Sequence, residues 1–244
     1  MTQGVIGTAS VSEGTIVKPL PPGSLLDHRR GEKEAGDPTG DLALNAEMRW
    51  EGMADAGYLT PIDRFFVRNH APTPYVDPAT WRLCVEGPGV GRTLEMDYED
   101  LTGLPDVSLV RALECAGNGR AFFGERQGDT RHALEARDRR GRRWTGIPLR
   151  DVLERAGLRI ADGWVMVEGL DAVRMRRPLP LWKALEEDTI LATGMNGQPL
   201  PPDHGFPVRL VVPGWAAVAS VKWVGRIVIR TGRSPRPGTR PSTS

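Results

Sequence analysis

The chain of 244 residues contains only two cysteines, Cys84 and Cys115. That scarcity excludes a disulfide framework and a four-cysteine zinc site. No apolar run approaches the ~18 residues a membrane helix needs. The opening Met1-Thr2-Gln3-Gly4-Val5-Ile6-Gly7 has neither the basic nor the apolar region of a secretory signal. A cytoplasmic, reduced protein is therefore expected, with no membrane contact. Net charge is only +1, which gives no global pull toward nucleic acid, so any preference for anions must be local. Zinc-type Cys/His spacing, the Walker and dinucleotide glycine patterns and the Gly-x-Ser-x-Gly elbow are also missing. Gly87-Pro88-Gly89-Val90-Gly91 is glycine-rich, but its proline marks it as a loop.

The rest is ordinary globular material, 39% hydrophobic and 26% charged. Residues 1–40 are rich in Gly, Pro and charge and read as an extended N-terminal arm laid over a domain at 41–231. Residues 232–244 hold no hydrophobic side chain and read as a disordered polar tail. Inside the domain the apolar patterning predicts strands at Arg64–Arg68, Trp81–Gly87, Trp164–Glu168, Val208–Val212 and Val221–Ile229. Helices are expected at Tyr98–Leu101, Leu149–Ala156 and Leu181–Glu187, and a short helix or turns over Asn45–Tyr58. Short strands, scattered helices and no βαβ rhythm predict an α+β fold of mixed β-sheets. Trp81–Gly87 alternates like a half-buried strand, placing Cys84 on the core side as a structural cysteine. Gly124–Arg143 holds seven arginines; lacking the interleaved aromatics that stack bases, it reads as a solvated loop and not as a nucleic-acid surface.

Cys115 is different. Leu109–Leu113 is an apolar, strand-like run that delivers the thiol into Ala116-Gly117-Asn118-Gly119-Arg120. Glycines there let the backbone approach a bound group, and free N–H groups can face an anion. A thiol so placed suits a nucleophile or a soft metal ligand, and a nearby cation favours its thiolate. The competing reading is a buried cysteine at a strand end.

Other segments combine cations with strand ends. Phe66, Val67, Arg68, Asn69 and His70 are consecutive; His204 and Arg209 flank a turn; Ser220, Val221 and Lys222 supply a hydroxyl, a backbone turn and an ammonium. Met195-Asn196-Gly197-Gln198 is a hairpin-type turn. Arginine, histidine, lysine and backbone amides brought together are what a phosphate-bearing cofactor requires.

At Phe66–His70, Cys115-Ala116-Gly117-Asn118, Met195-Asn196-Gly197, His204-Gly205-Phe206-Pro207-Val208-Arg209 and Val221-Lys222-Trp223 the chain resembles the molybdopterin-binding domain of the sulfite oxidase family. The motifs stand in the family's order over roughly residues 45–230. The resemblance implies that family's fold, without a haem or dimerisation domain, and a molybdenum–molybdopterin cofactor with Cys115 as the metal ligand. It implies pterin and phosphate contacts from Phe66, Val67, Arg68, Asn69, His70, Asp171, His204, Arg209, Ser220, Val221 and Lys222. Arg68 and Arg120 would complement charge on an anionic substrate at the mouth. The implied reaction is oxygen-atom transfer to or from a small anionic or sulfur-containing molecule, with electrons passing to a separate partner, a cytochrome or another redox protein. Alternatives are an S- or N-oxide reductase on the same fold, or a cofactor-free relative acting as a binding module.

Two departures bear on the substrate. The arginine-rich stretch stands where the family carries a Trp/Gly-rich segment, and the three tyrosines, Tyr58, Tyr75 and Tyr98, all lie upstream of Cys115. Both point away from sulfite and toward the small bacterial members of the family, whose substrates include sulfoxides.

Overall fold

The structure, a computed structural model, describes residues 57–115 and 141–232, and before them the backbone of three short strands, β1 (Val11–Ser12), β2 (Ser24–Leu25) and β3 (Asn45–Met48). The rest of the expected N-terminal arm, Arg120, residues 124–140 of the arginine-rich stretch and the tail beyond 232 lie outside the described residues. Two further short strands, β4 (Val67–Arg68) and β5 (Tyr75–Val76), pair with these: β2-β3-β4 form one small sheet and β1 pairs with β5.

A five-stranded sheet runs β11-β10-β15-β6-β7, from β6 (Leu83–Glu86), β7 (Leu94–Met96), β10 (Trp164–Gly169), β11 (Arg176–Pro180) and β15 (Val224–Arg230). Its pairs are antiparallel except β15 with β6. A second sheet runs β13-β12-β9-β8, with β14 (Arg209–Val211) also on β12; its other members are β8 (Val107–Arg111), β9 (Arg142–Pro148), β12 (Ile190–Met195) and β13 (Gln198–Pro199). Mixed sheets with few helices make the fold α+β, as the sequence implies.

The larger core packs Leu83, Val85, Val165, Val167, Ile227 and Ile229 of the first sheet, with Trp81 just before β6, against the helix Leu149–Arg155. Burying a large apolar side chain of this kind stabilises by about 1.5–3 kcal/mol. A smaller core gathers Phe65, Leu113, Trp144, Ile190, Met195 and Val211 behind the second sheet. Gly146 is required there: a Cβ on it would lie 2.2 Å from the Leu191 carbonyl oxygen across the β9–β12 pair.

Several local expectations are corrected. Asn45–Met48 is a strand, because pairing with β4 outweighs the helical preference of Ala, Glu and Met; residues 49–56 of that segment lie outside the described residues. Arg64–Arg68 splits into a 3-10 turn at Ile62–Arg64 and the short β4. The helix at Leu181 stops at Ala184. The last strand begins at Val224, not Val221, because Trp223 has φ +53° and the Val221 carbonyl accepts from Leu210 N at 2.7 Å. Leu83, Cys84 and Val85 are all buried, so β6 is covered on both faces and does not alternate. Cys84 is nevertheless a buried free cysteine, and burial pushes its thiol pKa up. The hairpin at Asn196-Gly197 is present between β12 and β13, with φ +51° and +80°.

Candidate active site

Strand ends and turns from both sheets converge on one cleft of about 290 Å³. Its wall includes Phe66, Arg68, Asn69, His70, Cys115, Asp171, His204, Arg209, Ser220, Val221 and Lys222, residues far apart in sequence that the resemblance singled out. Val67 does not line it; that side chain turns into the protein and is buried. Phe65, Met175, Ala217, Val218 and Trp223 complete the wall and were not read from the sequence. Phe65 adjoins a motif and Trp223 ends one, while Met175 and Ala217–Val218 carry no local signal.

Each arrival has a local cause. Beyond β8 the chain makes one parallel bridge, Glu114 with Ala216, and the Glu114 carbonyl accepts from Ala217 N at 2.8 Å. That contact sets half-buried Cys115 beside the turn Ala217–Ala219. At Gly205 the backbone takes φ +106°, where a Cβ would lie 2.9 Å from Arg209 Cβ and 3.1 Å from Lys222 Cβ. Glycine there lets His204, Arg209 and Lys222 share one small volume. The loop after β10 is closed on itself: Met175 N donates to Asp171 Oδ1 at 2.8 Å and Arg174 N to the Asp171 carbonyl at 2.8 Å.

The electrostatics are lopsided. Arg209 is buried, its Nη1 donating to the His204 carbonyl at 3.0 Å and its Nη2 to the Ser220 carbonyl at 3.4 Å. Its Nε is buried with no hydrogen-bond partner among the described residues. Desolvation lowers this guanidinium to about 9, so it remains a cation at neutral pH. Lys222 Nζ donates to Asn69 Oδ1 and to the Asp203 carbonyl. Burial of its ammonium, then Arg209, hold Lys222 well below the lysine range, against the pull of Asp203 and Asp171. Burial also keeps His204 well below the usual imidazole range. The ring is therefore neutral, and Nε2, 3.2 Å from the Ile62 carbonyl, is the donor nitrogen. Burial raises the Asp171 carboxyl.

Desolvated cations in excess of the acids around them require an anionic group to complete the site. An unpartnered buried Nε and a half-buried thiol from residues that line the same cleft fit a group with both a phosphate and a sulfur-liganded metal. Fold and cleft together define a domain suited to hold such a cofactor. A family model of the oxidoreductase molybdopterin-binding domain matches residues 70–237, and the chain belongs to that family, whose cofactor is the molybdenum cofactor. Mitochondrial sulfite oxidase of Mus musculus is 37% identical over 225 residues, covering 82% of this chain and 40% of that protein. Nitrate reductase [NAD(P)H] of Hordeum vulgare is 35% identical over 213 residues, covering 80% of this chain and 23% of that protein. The crystal structure of the sulfane dehydrogenase SoxCD from Paracoccus pantotrophus superimposes with a TM-score of 0.67 at 30% identity, covering 81% of this chain and 49% of that one. The chain thus spans less than half the length of each of these relatives.

Proposed function

We propose that this chain catalyses oxygen-atom transfer to or from a small anionic or sulfur-containing molecule, with Cys115 as the protein's ligand to molybdenum. The observation that carries the reading is the buried, unpartnered Nε of Arg209 in a cleft that also holds Arg68, Lys222 and the Cys115 thiol. When bound, the cofactor supplies the two-electron redox chemistry and the site of oxygen exchange with water. The chain's own residues bind and orient. Arg209, Lys222, Ser220, Asn69, His204 and Asp171 would hold the pterin and its phosphate by charge and hydrogen bonds. Half-buried Arg68 and exposed His70 stand at the wall nearer solvent, where a guanidinium attracts an anionic substrate and complements charge developing on its oxygens. Arg120, outside the described residues, is proposed for the same role.

Similarity to a sulfite oxidase and a nitrate reductase leaves either direction of transfer open. A separate redox protein, a cytochrome or another carrier, would exchange the electrons. A cofactor-free binding module is disfavoured, because among the described residues nothing would then meet the buried Nε of Arg209.

The test is molybdenum and pterin content of protein purified from a cofactor-competent host, followed by parallel assays. These are sulfite oxidation with an artificial electron acceptor, and sulfoxide, N-oxide and nitrate reduction with an artificial donor. Near-stoichiometric metal with turnover in any one assay supports the reading. Full loading without turnover of any such substrate would overturn it.

A further inference from the structure

Behind the cleft wall, Lys222 and Asn69 are tied in a chain of hydrogen bonds to two buried polar residues, Thr73 and Asp203, that neither the family motifs nor the cofactor contacts account for. Lys222 Nζ donates to Asn69 Oδ1, Asn69 Nδ2 donates to Thr73 Oγ1 at 2.8 Å, and Thr73 Oγ1 donates to Asp203 Oδ1 at 2.7 Å. Asn69, Thr73 and Asp203 are all buried. Neither Thr73 nor Asp203 lines the cleft. The same ammonium also reaches the Asp203 carbonyl at 2.9 Å, so the chain closes on itself.

Direction matters more than number here. An ionised carboxylate only accepts, so it takes the single hydrogen of the Thr73 hydroxyl. That hydroxyl can then only accept from Asn69, which forces the amide to present its NH2 to Thr73 and its oxygen to Lys222. Turned the other way, the amide would set two N–H donors against an ammonium. A buried amide free to take both orientations would place the lysine only part of the time, and in this low-dielectric setting the wrong orientation is expensive.

We propose that Thr73 and Asp203 are positioning residues for the cofactor site, which act through Asn69 by fixing its amide with the oxygen toward Lys222, and so hold the Lys222 ammonium at the cleft wall. Asp203 also pulls the Lys222 pKa up, against the burial that depresses it, and so favours the ammonium that this role requires. The proposal rests on the cofactor assignment and not on the direction of oxygen transfer. Asp203→Asn is the diagnostic change. An amide at 203 can donate to Thr73, which frees the hydroxyl hydrogen to point at Asn69 and allows the Asn69 amide to invert, with almost no change in volume.

The experiment follows the loss of pterin from purified, loaded protein after gel filtration, read by fluorescence of the oxidised pterin, alongside thermal midpoints. Thr73→Val and Asp203→Asn are expected to release pterin about tenfold faster or more, the scale set by hydrogen bonds to charged groups. Thr73→Ser, which keeps the hydroxyl, is expected to stay within about threefold of the parent. Val165→Ala, a core truncation in the five-stranded sheet away from the cleft, controls for lowered stability and is expected to release pterin at the parent rate. Parent-like release from both Thr73→Val and Asp203→Asn overturns the proposal. So does Thr73→Ser behaving like Thr73→Val, or the core control releasing as fast as the network variants. A parent protein that carries no pterin from a competent host would overturn the cofactor assignment itself, a result read before any variant is made.

Discussion

The guanidinium of Arg209 lies 5.0 Å from the ring centre of Trp144, so the cation that faces the cleft is backed by an indole. Trp144 in turn meets Phe65 nearly edge-on, at 5.9 Å and 71°. Phe65 lies under the guanidinium of Arg142 at 4.1 Å and beside the His204 ring at 5.2 Å. Aromatic faces are electron-rich, and stacking on them replaces part of the hydration a buried guanidinium gives up. Two arginines and a neutral histidine are thus carried on one aromatic pair, which explains how a small domain keeps this much positive charge dry.

Trp144 should therefore influence the site without touching a ligand. Trp144→Phe, which keeps a ring face, is expected to load nearly normally. Trp144→Leu fills much of the space but removes the face, and should weaken cofactor retention by the factor that about 0.5–2 kcal/mol of cation–π attraction represents. Trp144→Ala adds a cavity and should cost about 3–5 kcal/mol of stability. Pterin content and thermal unfolding of the three variants check this. Equal pterin retention by the Phe and Leu variants would sink the stacking role.

Arg209→Lys tests whether charge alone suffices. Lysine keeps the cation but loses the planar fork, so the His204 and Ser220 carbonyls and the anion can no longer all be served by one group. At least about a tenfold fall in cofactor retention is expected, on the scale of one charge-assisted hydrogen bond. Retention equal to the parent would mean that Nε does not meet the anion.

The site was legible because its residues are of unusual type for where they stand. Arg68, His70, His204, Arg209 and Lys222 are cationic or titratable groups in or near short strands and turns, and no solvated loop needs them together. Less legible was whatever depended on pairing. Arg176-Arg177-Pro178-Leu179-Pro180 has the composition of a loop, yet forms the edge strand β11, because an edge tolerates the missing N–H of proline. Leu83–Val85 looked half-buried only because the second covering face comes from elsewhere in the chain. The link from Thr73 to Asp203 spans 130 positions, a separation at which a single sequence carries no signal for a hydrogen bond.

Two glycines with similar backbone angles should respond differently to a methyl group. Gly197 has φ +80° with nothing within 4 Å of the added Cβ, so Gly197→Ala should cost only the roughly 1–2 kcal/mol of a left-handed residue. Gly205→Ala carries that strain and also drives a Cβ against Arg209 and Lys222. Greater loss of thermal stability is expected, together with loss of pterin. If the two variants lost equal stability and both kept pterin, the tight packing at Gly205 would have no functional weight.

His204 gives the protein a defined response to acid. Burial, followed by Lys222 and Arg209, depresses its pKa in the folded state, with the Ile62 carbonyl pulling the other way. An unfolded histidine titrates near 6.5, so below that value the unfolded state binds the extra proton. The contribution of His204 to stability is complete above about 6.5 and is lost as pH falls from there toward the depressed folded pKa. His204→Gln can still donate to the Ile62 carbonyl but does not titrate. The parent's thermal midpoint should fall more steeply than the variant's between pH 7 and 5; parallel curves would show that His204 is not buried neutral.

Cys115→Ser separates the metal from the rest of its cofactor. The side chain is half-buried at a strand end, so a substitution of similar size should change stability by no more than about 0.5 kcal/mol. On the proposed assignment, the pterin and its phosphate are held by Arg209, Lys222 and their neighbours, which the change leaves untouched. If Cys115 is the ligand, as proposed, molybdenum would lose its protein thiolate, for which a serine hydroxyl, harder and rarely ionised, is a poor substitute. The expected outcome is a molybdenum-to-pterin ratio well below the parent's, pterin content close to it, and turnover reduced by more than the about 10–100-fold that loss of a supporting contact brings. Measuring metal and pterin on the same sample makes the result decisive. If both fall together, Cys115 matters to the whole pocket and not to the metal in particular; if neither falls and turnover persists, the thiol is a structural residue that happens to line the cleft.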